Sequence, residues 1–274
     1  MTPAPSLPSI FLVGCGQMGG ALFRGWEKAG IAPSLILDRH ADNIPAPHKV
    51  IRSPADIPDD FRPDAVILAT KPQKAVDILP FLARFSPRAP VISVLAGRTV
   101  AGLRDGIHAA APENPAPVVI RAMPNTPAAI GKGITGYYAP PEATAEQVSL
   151  CEALLRAAGD VVRVETESLI DSVTALSGSG PAYVFLLAEL MEKAGIEQGL
   201  PAPVARLLAR RTISGAGALL DASPEDAAEL RRRVTSPGGT TERAIAELSA
   251  PDAWPQNVSD AIKAAARRAA ELAV

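Results

Sequence analysis

The feature that narrows the fold most is a glycine pattern near the N-terminus. A short apolar run, Ile10–Val13, ends on Gly14-Cys15-Gly16-Gln17-Met18-Gly19, and a helical pattern carrying Ala21, Leu22 and Trp26 follows. The order is strand, tight turn, helix. The glycines match G-x-G-x-x-G, and each has a physical task. The first permits the turn, the second lets backbone N–H groups approach a pyrophosphate with no Cβ in the way, and the third lets the helix pack on the strand. The helix N-terminus adds partial positive charge for the phosphates. The pattern points to a dinucleotide site; a plain glycine turn is the other reading.

Further apolar runs cover residues 35–37, 65–69, 91–95, 118–120, 134–138 and 161–164. They are continuous rather than alternating, as in strands buried on both faces. Helix-length segments separate them, which indicates βαβ units and a mostly parallel sheet. Between Leu35 and Ala65 prolines are frequent, and a crossover with little helix is expected there. The texture changes after Glu165. Residues 183–194 are apolar nearly all round, 204–220 form a second apolar helix whose wet face is limited to Arg206, Arg210 and Arg211, and 253–272 form an Ala-rich closing helix. A helix apolar on all sides must be buried on all sides. The expected class is α/β: a doubly wound dinucleotide-binding domain over residues 1–165 and an all-helical domain over 166–274. The helices carry more apolar surface than a small bundle can bury alone, so they predict a homodimer.

Bulk properties exclude other classes. Net charge is -2 with no basic stripe, which argues against nucleic-acid binding. Only Cys15 and Cys151 are present, too few for a disulfide framework and consistent with a reducing compartment. The start, MTPAPSLPS, lacks a basic region and is broken by prolines, unlike a signal peptide. No uninterrupted apolar stretch reads as long enough to span a bilayer. A soluble cytoplasmic protein with no membrane association and no metal site is expected.

Ligands of a doubly wound sheet lie beyond the carboxyl ends of its strands. Thr70-Lys71-Pro72, Ala96-Gly97 and Met123-Pro124-Asn125-Thr126-Pro127 stand at such ends. Asn125, between two prolines, can offer an amide to a nicotinamide or a substrate, or can simply form a turn. Asp38 lies near the spacing at which an acidic residue holds a ribose 2′-OH, favouring NAD. Arg39 and His40 follow at once, and a guanidinium suits the 2′-phosphate of NADP. NADPH is the expected cofactor, with NADH as the alternative; a turn cap at Asp38 and a solvated charge at Arg39 are the plainer readings.

Two segments of the helical half stand out. Ser177-Gly178-Ser179-Gly180-Pro181 interrupts a long helical pattern. Interior Gly and Pro cost about 1 and 3 kcal/mol, so a helix start capped by Ser179 or Gly180, close packing, or a ligand is expected. The second segment is Val234-Thr235-Ser236-Pro237-Gly238-Gly239-Thr240-Thr241, a turn feeding a helix. Its backbone N–H groups suit a carboxylate, and a hydroxyl of Thr240 or Thr241 suits a neighbouring nitrogen. A capped loop is the alternative.

The stretches GCGQMGGAL, ATKPQ, SVLAG, RAMPNTPA, DSVTALSGSGPAYVF and LRRRVTSPGGTTERAI together resemble the pyrroline-5-carboxylate reductase family over nearly the full length. The last two are the specific part, since a generic dinucleotide-binding domain has neither. The resemblance implies an N-terminal Rossmann domain, a C-terminal helical domain interlocked in a dimer, and larger assemblies up to decamers. It implies NAD(P)H cradled by Val13, Gly14, Cys15, Gly16, Gln17 and Met18. Ala69, Thr70, Lys71 and Pro72, with Val94, Leu95 and Ala96, would flank the nicotinamide. The small-molecule substrate Δ1-pyrroline-5-carboxylate would bind at the Ser236–Thr241 turn. Its carboxylate would rest on the N–H groups of Gly238, Gly239 and Thr240, and Thr241 would contact the ring nitrogen; proline would be the product.

Thr70 departs from the family's usual Val, and Arg98 from its usual small apolar residue. Residues 42–60 align poorly, and no role is carried over there. A 3-hydroxyacid dehydrogenase of the same plan needs a basic residue after the Gly178 turn, and residues 178–192 hold no Lys, His or Asn. A non-catalytic NADP-binding scaffold is the remaining alternative.

Overall fold

The computed structural model describes residues 7–273; the segment read as lacking a signal peptide lies mostly outside them. Strands Ile10–Val13 (β1), Leu35–Leu37 (β2), Lys49–Ile51 (β3), Ala65–Leu68 (β4), Val91–Ser93 (β5), Val119–Met123 (β6), Gly133–Tyr138 (β7) and Gly159–Arg163 (β8) form one sheet. Its order is β3-β2-β1-β4-β5-β6-β7-β8. The first six pair in parallel, β7 runs antiparallel to β6, and β8 runs parallel to β7. The order of the first six is that of a doubly wound dinucleotide-binding sheet.

Continuous apolar strands follow from two cores. Ile10 and Leu12 pack with Leu22, Trp26 and Ile67 on one face. Phe11 and Val13 pack with Val66, Leu68 and Phe85 on the other. The Pro-rich crossover has little helix, as expected, only the turn Pro54–Asp56, but it also carries strand β3, which was not expected. The strand is three residues long at the sheet edge with Lys49 exposed, too short for an apolar run to reveal.

By packing, the described residues divide into Ser179–Ala264 and the remainder. The expected division at 165/166 falls just after β8. Packing divides the chain later because the helix Leu169–Val173 and the turn after it belong to the sheet. Ile170 and Ala175 are fully buried, and the Val173 side chain fills the space beside Gly136.

The expected helix start is present, with Gly180–Glu197 beginning after Ser179, but the chain before it is already helical. Leu169–Val173 runs into a π turn, Thr174–Gly178, and then into Gly180–Glu197. Ser179 has helical backbone angles and makes no side-chain cap. Pro181 lies in the first turn of the following helix, where its missing N–H costs little. The π turn absorbs the irregularity. The continuous stretch Leu169–Glu197 is 29 residues and holds an 18-residue window with mean hydropathy 1.2, long and apolar enough by length and composition to cross a membrane. It is not an uninterrupted apolar stretch, since Asp171, Glu189, Glu192 and Lys193 lie along it.

The Ser179–Ala264 unit comprises Gly180–Glu197, Ala202–Ala222, Ala227–Arg233, Thr240–Leu248 and the first part of Trp254–Leu272. Within one chain the Gly180–Glu197 helix is not buried on all sides: Phe185 is 67% exposed and Leu186 53%. The helices of the Ser179–Ala264 unit leave that apolar face uncovered.

Candidate active site

Each glycine of the first turn meets a distinct steric demand. Gly14 adopts φ 93°, and a Cβ there would lie 2.7 Å from the Thr70 nitrogen. A Cβ on Gly19 would lie 2.0 Å from the Gly14 oxygen, so only glycine lets the helix Gln17–Lys28 approach β1 this closely. A Cβ on Gly16 would meet nothing within 4 Å. Gly16 is also the helix N-cap and makes no side-chain cap bond. Open space and uncapped first-turn amides are what a pyrophosphate requires, and Gly16, Gln17 and Met18 supply them. The residues present therefore fit a dinucleotide.

Asp38 fixes this turn from the end of β2. Its Oδ2 accepts from the Cys15 N–H at 2.7 Å, and its Oδ1 accepts from His40 at 2.7 Å and Ala41 at 2.9 Å. Burial favours the protonated acid, but these three N–H donors outweigh it and hold the carboxyl below the usual carboxylate range. Burial, and then the Asp38 charge, push the Cys15 thiol up. Arg39 and His40 stand exposed at a cavity of about 720 Å³ that also reaches Gly14, Arg52 and Thr70.

The neighbouring strand ends are tied together. Pro72 begins the short helix Pro72–Ala75 after Lys71, and Arg98 donates to the Pro72 carbonyl at 3.1 Å. The residue that departs from the family pattern thus joins the exits of β4 and β5. Ala69 donates to Val13 at 2.8 Å, and Val94 to Leu68 at 2.9 Å. Leu95 is buried and Ala96 exposed. Asn125 is 8% exposed, and its Oδ1 accepts from the Ile134 N–H at 3.0 Å. The amide nitrogen end of that side chain is left to serve a ligand.

Beneath this rim lies Arg121 of β6, 2% exposed, which sequence reasoning missed. It pairs with Glu167 at 3.3 Å and Asp171 at 3.1 Å. Glu167 also accepts from the Val100 N–H at 2.8 Å, so one charge network links β6, the helix Val100–His108 and the helix Leu169–Val173. An arginine within an apolar strand was the available signal, because charged side chains are almost never fully buried unless paired.

The turn before Thr240–Leu248 belongs to the Ser179–Ala264 unit. Gly238 adopts φ 71°. Its N–H donates to the Glu242 carboxylate at 2.8 Å, and the Gly239 N–H donates to the Ser236 carbonyl at 3.0 Å. Gly239 is the N-cap and makes no side-chain cap, so Thr240 and Thr241 open the helix. The loop already binds one carboxylate, its own Glu242. The Gly238 N–H reaches an outside carboxylate only when Glu242 releases it.

A doubly wound sheet headed by a glycine turn that fits a pyrophosphate, and a helical unit whose buried side chains among the described residues are Ala205 and Ala209, define a two-domain dinucleotide-dependent oxidoreductase. Residues 9–97 match a family described as NADP oxidoreductase, coenzyme F420-dependent, and residues 167–272 match one described as pyrroline-5-carboxylate reductase dimerisation. The chain is 37% identical to a pyrroline-5-carboxylate reductase of Pseudomonas aeruginosa, with 98% of each chain covered. The solved pyrroline-5-carboxylate reductase of Coxiella burnetii superposes with a TM-score of 0.86 at 31% identity, covering 97% of this chain and 98% of that one. A pyrroline carboxylate reductase of Plasmodium falciparum, solved with NADP bound, shares the fold with a TM-score of 0.81 at 24% identity, covering 97% and 98%. The chain belongs to the pyrroline-5-carboxylate reductase family.

Proposed function

We propose that this chain reduces Δ1-pyrroline-5-carboxylate to proline with NADPH. The observation that carries the reading is the presence, in one family member, of the glycine cradle and the Ser236–Thr241 turn. Bound NADPH supplies a hydride to the C=N carbon. A protonated imine is already a good electrophile, so the protein's work is positioning and charge placement. The amides of Gly16, Gln17 and Met18 hold the pyrophosphate, while the Gly14 and Cys15 N–H groups stay on the Leu37 carbonyl and the Asp38 carboxylate and shape the turn. Ala69 to Pro72 and Val94 to Ala96 flank the nicotinamide, with the Asn125 amide within the same rim. The turn amides from Gly238 to Thr240 take the substrate carboxylate, Glu242 yielding the Gly238 N–H and the Ser236 carbonyl yielding the Gly239 N–H. The Thr241 hydroxyl orients the ring nitrogen. His40, His48 and His108 lie outside these segments, so no histidine acid–base pair is invoked.

The working form is a homodimer in which a partner copy covers the Gly180–Glu197 helix. Dimers associate further into decamers, and the enzyme acts in the cytoplasm. Membrane insertion is the competing account of that apolar helix; retention of the protein in the soluble fraction and an even-numbered mass in sedimentation are the expected results.

The direct test is NADPH oxidation on addition of the imine, with proline measured as product. Imine-independent oxidation, or none, sinks the reading. Thr241→Ala should lower kcat/KM by about one to two decades, the loss of a single polar contact worth about 1.5–3 kcal/mol. Unchanged kinetics would remove Thr241 from the site.

A further inference from the structure

The dinucleotide cavity contains a cation from a strand that carries no assigned role. Arg52 follows β3 and lines the same cavity as Arg39 and His40, which leave β2. Its Nη1 donates to the Asp38 carbonyl at 2.8 Å and its Nη2 to the Asp42 carboxylate at 3.3 Å. The guanidinium is thereby anchored on the β2 turn while the side chain stays 49% exposed. Two guanidiniums from adjacent strand ends thus share one rim, and Lys74 adds an ammonium across from them. Asp77 is the other acidic group lining the cavity besides Asp38.

Asp38 itself is committed elsewhere. Both carboxylate oxygens accept backbone N–H groups, from Cys15 on one side and from His40 and Ala41 on the other. A ribose 2′-OH would have to compete with these charge-assisted bonds. The position that selects NAD in other dinucleotide sites is here spent on shaping the turn.

We propose that Arg52, together with Arg39, recognises the 2′-phosphate of NADPH and sets selectivity against NADH, while Asp38 is a positioning residue for the glycine turn and not a ribose ligand. A guanidinium suits this task because it offers paired N–H donors to a phosphate and stays charged at all working pH values. The proposal rests on the NADPH reading above.

The test titrates adenosine 2′,5′-bisphosphate and 5′-AMP into the full-length protein by calorimetry, with no turnover required. Arg52→Ala should weaken the bisphosphate by about tenfold or more, the loss of one charged contact, and AMP by much less. The NADPH-to-NADH ratio of kcat/KM should fall with it, and Arg52→Lys should recover part of both. Parallel weakening of the two nucleotides would mean that Arg52 only braces the turn, and no change in either would mean no contact; both overturn the proposal. Asp38→Asn should weaken both nucleotides together. Selective gain of bisphosphate affinity in that variant would make Asp38 the ribose reader and also overturn it. Wild-type protein that prefers the bisphosphate through Arg52 but ignores the imine defeats the pyrroline reading alone. Imine reduction whose cofactor preference is indifferent to Arg52 defeats this proposal alone.

Discussion

In the sheet unit Ile10, Leu12, Trp26 and Ile92 are 0% exposed, whereas in Ser179–Ala264 the only buried side chains among the described residues are Ala205 and Ala209. Both regions are apolar, yet the first encloses its apolar surface and the second displays it. At about 25 cal/mol per Å², uncovered Phe, Leu and Val faces on several helices are a substantial unrealised stabilisation. The sheet unit encloses its own core, and in the proposed reading it would hold the cofactor with backbone amides. Residues 167–272 match a family model described as dimerisation, and the uncovered faces of the helical unit are what an association between copies would bury.

A charge on the displayed surface should break the contrast most sharply. Phe185, on the Gly180–Glu197 helix, is 67% exposed in the single chain. In a two-fold dimer the substitution Phe185→Asp is present twice, and each copy buries a carboxylate. Association should weaken by at least about a thousandfold, more than 4 kcal/mol. Sedimentation should give monomers at micromolar concentration, while circular dichroism still shows a folded sheet unit. An unchanged dimer would place the interface elsewhere.

The sheet unit has its own weak point at Arg121. Arg121→Met leaves Glu167 and Asp171 facing a buried apolar side chain, and breaking a buried pair typically costs about 3–5 kcal/mol. Urea unfolding should move to lower concentration in this variant. Adding Glu167→Gln and Asp171→Asn should recover much of the loss. A neutral single substitution would show that the network does not hold the sheet to the helix Leu169–Val173.

Gly19→Ala separates cofactor binding from stability. Its Cβ would sit 2.0 Å from the Gly14 oxygen, so the helix Gln17–Lys28 must retreat from the turn and carry its amides with it. NADPH affinity should fall by about a hundredfold, equivalent to about 2.7 kcal/mol. The dimer mass should not change. Full affinity in this variant would mean that helix and strand need not touch for the cradle to form.

How much of this could be read in advance follows the same division. Strand β1 and the glycine turn were legible because burial on both faces leaves an unbroken apolar run and the turn needs glycine. Strand β3 was not: Lys49-Val50-Ile51 is too short and too exposed to stand out among prolines. The π turn at Thr174–Gly178 was hidden because glycine and proline read as helix stops, and only the packing of Ile170 and Ala175 shows why the helix continues. The motifs located Gly238 but could not show Glu242 taking its N–H, nor Arg52 reaching back to Asp38. Those contacts depend on side-chain directions that spacing alone does not fix.

The smallest expected effect sharpens the contrast by pH. His48 lies in the sheet unit, so its titration should touch the stability of that unit and leave the helical association alone. Its Nδ1 accepts from the Ser34 N–H at 3.2 Å, and its ring stands edge-on to Phe23 at 5.1 Å. Burial pushes its titration below the ordinary histidine value, with the Glu27 charge opposing. The folded chain therefore favours the neutral ring, and below about pH 6.5 the unfolded chain takes up the proton first. The contribution is full above that pH and is lost as pH falls through the lower folded value. Protonation would also turn the Nδ1 acceptor into a donor facing the Ser34 N–H. His48→Asn keeps an acceptor that does not titrate. Between pH 7 and 5 the wild-type Tm should fall slightly further than that of the variant, by less than about 1 kcal/mol of stability given the partial exposure. Equal losses in the two proteins would remove His48 as the source, and a dimer mass that changed over the same interval would show that the two units are not independent in their response to acid.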